Sequence, residues 1–321
     1  MSPTFADILT ARDRLSGHAR HTPLLRAPAL DTLAGTQLFL KPECEQHVGA
    51  FKYRGARNRL AALSPSEAAL GVVAFSSGNH AQGVARAARE LDISAVIVMP
   101  RDAPSVKVAG VERDGAEIVF YDRYTESRES IAARIAADTG RTLVPSFDDP
   151  HIIAGQGTVG LEIARSGIAF DAVITCIGGG GLCAGIALAL EAEMPEAKLF
   201  GAEPEHYNDT QKSLLAGERQ SIDPDAPPSL CDAILTPMPG ELTWPINSQR
   251  LAGVFAVTDA EALRAVALAH RHLGVVLEPG GAVALAAALR GELNGFGRVC
   301  AVLSGGNVDP DVLERALGGE G

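Results

Sequence analysis

AVITCIGGGGLCAG, residues 172 to 185, runs an apolar stretch into four consecutive glycines, Gly178 to Gly181, and then resumes as small apolar residues. A short apolar run closed by glycine reads as a buried strand, and the continuation GGLCAGIALALEAEM has helical length without a breaker. A tight strand-to-helix turn needs one or two glycines. Four in succession let several backbone N–H groups point into one concavity at a helix N-terminus, where free amides and the helix dipole favour an anion. The stretch therefore reads as a phosphate cradle within an α/β fold. Neither GxGxxG nor GxxxxGK[ST] is matched here, which argues against dinucleotides and nucleoside triphosphates.

Working outward, the same alternation recurs. GVVAFS (71–76), SAVIVMP (94–100) and AEIVFYD (116–122) alternate with the helical segments HAQGVARAARELD, SVKVAGVERDG and ESRESIAARIAADTG. Beyond the glycines come KLFGAEPE, the helical EALRAVALAHRHLG and a last apolar run, RVCAVLSGG. Such alternation predicts parallel strands joined by crossover helices, and two series predict two open α/β lobes with a ligand cleft between them. Toward the N-terminus, FADILTARDRLSGHA has helical spacing, HTPLL is extended, TQLFLKPE is a strand, and the pattern from Phe51 to Leu63 is helical. The Pro- and Asp-rich stretch 217–246 predicts an irregular excursion, most of it a plain surface loop.

The chain has 321 residues, 46% hydrophobic and 21% charged, with no low-complexity tract, the composition of an ordinary globular protein. A net charge of −11 argues against a nucleic-acid partner, which needs a basic footprint. Apolar runs are soon interrupted by charge or proline, so no membrane span is expected, and the N-terminus lacks a secretory apolar segment. Five scattered cysteines, at 44, 176, 183, 231 and 300, have no zinc-like spacing and fit reduced thiols in a cytoplasmic protein.

Chemistry-bearing residues gather where strands end. GVVAFSSGNHAQG closes its strand with Ser76, Ser77, Gly78, Asn79 and His80 just before a helix, a set of donors suited to a carboxylate or second phosphate; a helix cap alone explains one of them. RVCAVLSGGNVD ends in Ser304, which reads by itself as a turn residue, although its hydroxyl also suits an uncharged ring nitrogen. GAEPEHYND gathers Glu203, Glu205 and Asp209, an acidic bend that alone reads as solvated. His21, His47 and His151 carry no signal above ordinary side chains. GAFKYRGA, 49 to 56, sets Lys52 between two aromatics, which leaves open a surface charge or an amine desolvated for chemistry.

Taken in order, KPECEQHVGAFKYRGA, SSGNHAQG, IAGQGTVGLE, GGGGLCAG, EPGGAVALAA and LSGGN resemble the serine/threonine dehydratase and serine racemase family of pyridoxal-phosphate enzymes, from about His21 to Asp309. That resemblance implies a tryptophan-synthase β-like fold (fold type II), two twisted α/β lobes with the cofactor in the interdomain cleft. Residues 1–66 and 149–321 would form the large cofactor-binding domain and 67–148 a small inserted one. It implies that Lys52 is the Schiff-base lysine and the base for the α-proton. Phe51 would pack on the cofactor ring, Asn79 bond to its 3′ oxygen, Gly178, Gly179, Gly180, Gly181 and Leu182 hold its phosphate, and Ser304 meet the pyridine nitrogen. A serine there does not keep that nitrogen protonated, so the ring is a milder electron sink and suits β-elimination. Ser76, Ser77, Gly78, Asn79 and His80 would bind the substrate carboxylate, with Ser77 facing Lys52 as the racemases' second acid–base group. Glu203, Asp209 and the Tyr207 carbonyl match a site for Mg2+, Mn2+ or Ca2+, and a homodimer is implied.

The expected activity is an ammonia-lyase on L-serine or L-threonine first. 3-Hydroxyaspartate dehydratase and serine racemase are the alternatives, and a silent amino-acid- or cofactor-binding protein the remote one. The order of the first three turns on local departures. Ala50 stands where many threonine dehydratases have serine, SLCDAIL (229–235) replaces a T-x-A-D-G run, and ESRE (126–129) resembles the racemase and hydroxyaspartate branch. There Arg128 would reach a second carboxylate; equally, it reads as a helix-surface arginine paired with nearby acids. The chain ends soon after SGGNVD, so no regulatory domain is expected.

Overall fold

The apolar runs become strands in the computed structural model, which describes residues 2–76, 78–103 and 105–319. These strands are β1 (Leu25–Arg26), β2 (Gln37–Pro42), β3 (Val72–Phe75), β4 (Ala95–Pro100), β5 (Glu117–Tyr121), β6 (Thr142–Leu143), β7 (Ala172–Cys176), β8 (Lys198–Pro204), β9 (Leu251–Val257) and β10 (Arg298–Leu303). One sheet has the order β1-β2-β10-β7-β8-β9 and the other β5-β4-β3-β6. Only the β1–β2 pair is antiparallel. Parallel strands covered by helices on both faces must be apolar throughout, and every residue of β4 and β7 is buried. The second sheet is built wholly from residues between β2 and β7.

Pairing of β10 with β2, from Arg298 opposite Gln37 to Leu303 opposite Pro42, joins the two ends of the chain. Beyond β10 the backbone threads between two distant segments. Phe51 N donates to Ser304 O at 3.1 Å, Gly306 N to Gly49 O at 2.9 Å, and Glu278 N to Gly305 O at 3.2 Å. A Cβ on Gly281 would sit 2.1 Å from Gly305 O, so the EPGG motif needs glycine for this approach.

The IAGQGTVGLE motif lies in the helix Pro150–Ala164, which was not foreseen as helical because its glycines depress intrinsic propensity. Packing reverses that preference. A Cβ on Gly185 would meet Gly157 N at 2.5 Å, so the helices Pro150–Ala164 and Gly181–Glu193 touch backbone to backbone. Likewise β9 went unread, its period broken by Gly253 at a sheet edge.

A buried ion cluster anchors the helix Lys52–Ala61. Arg54 donates to Glu43 through Nε and Nη2, both at 2.8 Å, and to Glu162 at 2.6 Å; Lys41 also pairs with Glu162. Two cations facing two carboxylates leave no buried charge unpaired. No helix among the described residues is long and apolar enough to cross a membrane.

Candidate active site

The carboxyl ends of β3, β7 and β10 converge on a cleft whose outer part encloses about 470 Å³ and whose floor carries Lys52. An inner chamber continues from it, lined by Phe51, Asn79, the four glycines, Leu182 and Ser304. Residues near positions 51, 79, 180 and 304, distant in sequence, thus meet in one place.

Lys52 is half-buried at the start of its helix, and its Nζ donates to Ser146 O at 2.8 Å and lies 5.2 Å from the centroid of the Phe51 ring. Desolvation lowers its pKa to about 8, opposed by attraction from Cys176 and Glu278. An amine in this setting is a nucleophile and base near neutral pH. Of the two readings left open for GAFKYRGA, this environment supports the second: Lys52 is a desolvated amine and no solvated surface charge.

The glycine turn leaves no room for side chains. A Cβ on Gly179 would fall 2.3 Å from the Phe147 ring and one on Gly181 2.8 Å from Gln156 Oε1; Gly180 has φ +90°. Thr243 Oγ1 donates to Gly179 O at 2.7 Å and Asn247 Nδ2 to Gly180 O at 3.1 Å, which holds the carbonyls of the turn aside. The first-turn amides of the helix Gly181–Glu193 are left for an anion. In the same chamber Ser304 Oγ accepts from Cys176 Sγ at 3.2 Å, which frees its own proton for donation.

Asn79 begins the helix Asn79–Leu91 and is held at both ends of its amide. Its Nδ2 donates to Glu278 Oε1 at 2.5 Å and its Oδ1 accepts from Asn307 Nδ2 at 2.7 Å. Beside it Gly78 N donates to Ser76 Oγ at 3.1 Å. His80 is buried with Nε2 3.0 Å from Val144 O, and burial lowers its pKa to about 3. Its ring is therefore neutral and engaged with Val144, so a carboxylate near it would meet the backbone of the helix start and not an imidazolium. Ser77 lies outside the described residues.

Arg128 satisfies parts of both readings. It lines the outer cleft with its guanidinium 5.5 Å from the centroid of Phe75, the last residue of β3, and it also donates to Glu129 at 2.8 Å. The expectation for 217–246 needs correction. Although largely without regular structure, residues from Asp232 to Glu241 form one wall of the cleft, because Asp148 accepts from Glu241 N and Leu242 N at 2.9 and 2.8 Å and draws the segment in. Glu278 and Lys107 were not singled out in the sequence; both are buried against the cleft, and the Glu of EPGG was the only available signal.

Glu203 and Asp209 lie apart from this cleft, at the end of β8. Glu203 is buried and accepts from Thr210 N and Gln211 N at 3.1 and 3.0 Å, while Asp209 Oδ2 is buried without a partner. Burial pushes both carboxyls upward, and the neighbouring Asp209 charge raises Glu203 further. Tyr207 is half-buried between them in sequence, its N–H donating to Pro204 O at 2.9 Å. No group of three His, Cys, Asp or Glu side chains suited to a metal occurs among the described residues, so a cation here would need carbonyls and water as well.

A glycine cradle at a helix N-terminus, with a desolvated lysine and a serine lining the same chamber, is the arrangement of a pyridoxal-phosphate site, here built on two α/β sheets. Residues 15–305 match the family model described as "Pyridoxal-phosphate dependent enzyme", and the chain belongs to that family. Among curated relatives, an L-threo-3-hydroxyaspartate ammonia-lyase from Pseudomonas sp is 42% identical, with 98% of this chain and 99% of the relative covered. Another of the same name from Saccharomyces cerevisiae is 41% identical, covering 96% of this chain and 94% of the relative. Among solved structures, maize serine racemase superposes with a TM-score of 0.93 at 36% identity, over 99% of this chain and 98% of that one. The fold type II assignment and the pyridoxal-phosphate requirement stand on these similarities. The residues present fit the cofactor: the cradle excludes any Cβ, and Glu278 Oε2 is a buried oxygen without a partner beside the chamber.

Proposed function

We propose that this enzyme is an ammonia-lyase for a β-hydroxy amino acid bearing a second carboxylate, of the 3-hydroxyaspartate type. The observation that carries the reading is Arg128, which presents a guanidinium to the cleft over Phe75, beside the Ser76–His80 loop. A planar guanidinium matches a carboxylate in bidentate fashion. The 42% and 41% identical relatives named for this activity support it. It puts the dicarboxylate ahead of serine and threonine, reversing the order suggested by the motifs alone.

Pyridoxal phosphate, when bound, supplies the electron sink that makes the substrate α-proton acidic. Lys52 provides the amine that attaches it and, once free, takes the proton from Cα. The Cβ–O bond then breaks, hydroxide leaves with a proton as water, and hydrolysis of the resulting enamine gives oxaloacetate and ammonia. Free amides at the start of the helix Asn79–Leu91 hold the α-carboxylate, Arg128 the β-carboxylate, and Gly178 to Leu182 the cofactor phosphate. Glu203, Asp209 and the Tyr207 carbonyl form a site for a divalent cation of the Mg2+, Mn2+ or Ca2+ class, supported by the unpartnered Asp209 oxygen.

The test is a keto-acid assay of the holoenzyme with L-threo-3-hydroxyaspartate, L-serine and L-threonine. Oxaloacetate formation with the highest kcat/KM is the expected result. An equal or higher kcat/KM for serine or threonine overturns the dicarboxylate reading. Serine racemase is the second reading, favoured by the 0.93 superposition, and D-serine accumulating from L-serine is its signature.

A further inference from the structure

Glu278 is the acid of EPGG and caps nothing: it precedes the helix Pro279–Leu289 with no side-chain bond to that helix. Its carboxyl is 2% exposed and lines the inner chamber with Lys52. One oxygen accepts from Asn79 Nδ2 at 2.5 Å; the other has no partner. A buried carboxylate oxygen without a donor is costly, and proteins retain such groups where they act. The surrounding backbone makes space for it, since a Cβ on Gly305 would lie 2.2 Å from Glu278 Oε1 and 3.0 Å from Asn79 Nδ2.

Asn79 has four hydrogen-bonding positions, and two are taken in opposite senses. Asn307 Nδ2 donates to its Oδ1 while Glu278 Oε1 accepts from its Nδ2. Asn307 is itself anchored, donating to Val48 O at 2.7 Å. The amide cannot flip without setting donor against donor and acceptor against acceptor. One N–H of Asn79 is left over, in the chamber that Lys52 borders.

We propose that Glu278 is a positioning residue of the active site: its carboxyl fixes the orientation of Asn79 and places a negative charge beside the chamber, so that this pair sets the protonation of the bound cofactor. The proposal depends on the pyridoxal-phosphate assignment and not on which amino acid is the substrate. Charged and titratable groups acting on Glu278 come from several elements: Lys52 below it, Lys107 and Asp232 across the cleft, Asp309 after β10, and the thiols Cys176 and Cys231. Both lysines favour its ionised form, and Asp232 and Asp309 oppose it. A carboxylate at this point stabilises protonated, positively charged groups of the cofactor–lysine unit, and its loss favours the deprotonated or neutral forms.

The experiment follows the visible and near-ultraviolet absorbance of the holoenzyme between pH 6 and 9 in the parent, Glu278→Gln, Glu278→Asp and Asn79→Ala, and in the double variant Asn79→Ala/Glu278→Gln. In Glu278→Gln the band of the protonated cofactor falls at least about twofold at pH 8, a change expected from the loss of one adjacent charge. Glu278→Asp keeps the band and binds cofactor more weakly. In the Asn79→Ala background the Gln substitution has a smaller effect on the spectrum, what remains being the direct influence of the charge. A parent-like spectrum in Glu278→Gln with cofactor bound overturns the proposal. So does a spectral change of equal size without Asn79, which would make Glu278 a remote charge and not a positioning group. Failure of Glu278→Gln to fold overturns it too, because Glu278 would then be a structural residue.

Discussion

Lys107 Nζ donates to Asp232 Oδ2 at 2.6 Å, tying the helix Ser105–Arg113, which follows β4, to the 231–241 wall of the cleft. Lys107 is buried and Asp232 47% exposed, so the charge that suffers if the pair is broken is the lysine's. Lys107 also lies beside the carboxylate loop, with its Nζ 3.7 Å from the position a Cβ would take on Gly78. Asp232→Asn should raise KM by about five- to tenfold with a smaller change in kcat, the scale of a hydrogen bond whose exposed carboxylate is screened by water. Steady-state kinetics on the preferred substrate check it; a pure kcat loss with unchanged KM would show that the pair does not shape the cleft.

Turnover is expected to depend on Lys52. Lys52→Ala should lower kcat by at least about a thousandfold and abolish the cofactor's lysine-bound absorbance, in line with loss of a covalent base. In cofactor-free protein its lowered pKa of about 8 has a direct readout. The neutral amine population is half-formed near pH 8 and levels off about one unit above that pKa, so the rate of reloading with pyridoxal phosphate should plateau above about pH 9. Continued increase toward pH 10, as for an ordinary lysine, would contradict the desolvated setting.

Glu278 leaves a pH signature on stability. Burial raises its carboxyl to about 7, so the folded, cofactor-free protein keeps a proton that the unfolded chain releases near 4.5. The stabilisation linked to that proton is complete below pH 4.5 and is lost as pH rises through 7. Glu278→Gln should therefore stabilise the cofactor-free protein at pH 8, by about 2 kcal/mol, and do so much less at pH 5. Urea unfolding at the two pH values measures the difference; an equal effect at both would mean that the carboxyl is not held protonated.

Arg128 separates substrates. Arg128→Ala should raise KM for 3-hydroxyaspartate by roughly 10- to 100-fold, the worth of a charge-assisted pair, and leave the KM for serine within about twofold. Equal losses on both substrates would return Arg128 to the helix-surface role suggested by its contact with Glu129.

At Glu203 and Asp209 a divalent cation should raise the thermal midpoint and chelation lower it; cation at a hundred times its dissociation constant adds about 2.7 kcal/mol. Asp209→Asn should abolish the response to Mg2+, Mn2+ and Ca2+. A response that survives the substitution would place the cation elsewhere.

Much of this molecule is legible along the chain. The βα alternation, the glycine cradle and the position of Lys52 follow from neighbours in sequence, because hydrophobic period and the demand for glycine are local properties of the backbone. The glycine-rich helix Pro150–Ala164 was hidden for the opposite reason, tight packing overriding weak local preference, and the edge strand β9 because Gly253 interrupts its period. So too the 217–246 stretch has the composition of a plain loop, and only the reach of Asp148 makes part of it a wall.

By itself, then, the sequence determined the fold class and the cofactor, through short motifs that recur in order along the chain, and it marked Lys52 as the candidate to hold that cofactor. The tertiary structure alone decided which distant groups act together. Asn79 meets Glu278 across 199 residues and Asn307 across 228, and Lys107 meets Asp232 across 125. These contacts exist because β10 lies between β2 and β7, which brings the last strand's exit loop between the lysine segment and EPGG. Strand order is a global free-energy minimum over the whole buried core, and no local pattern of residues encodes it.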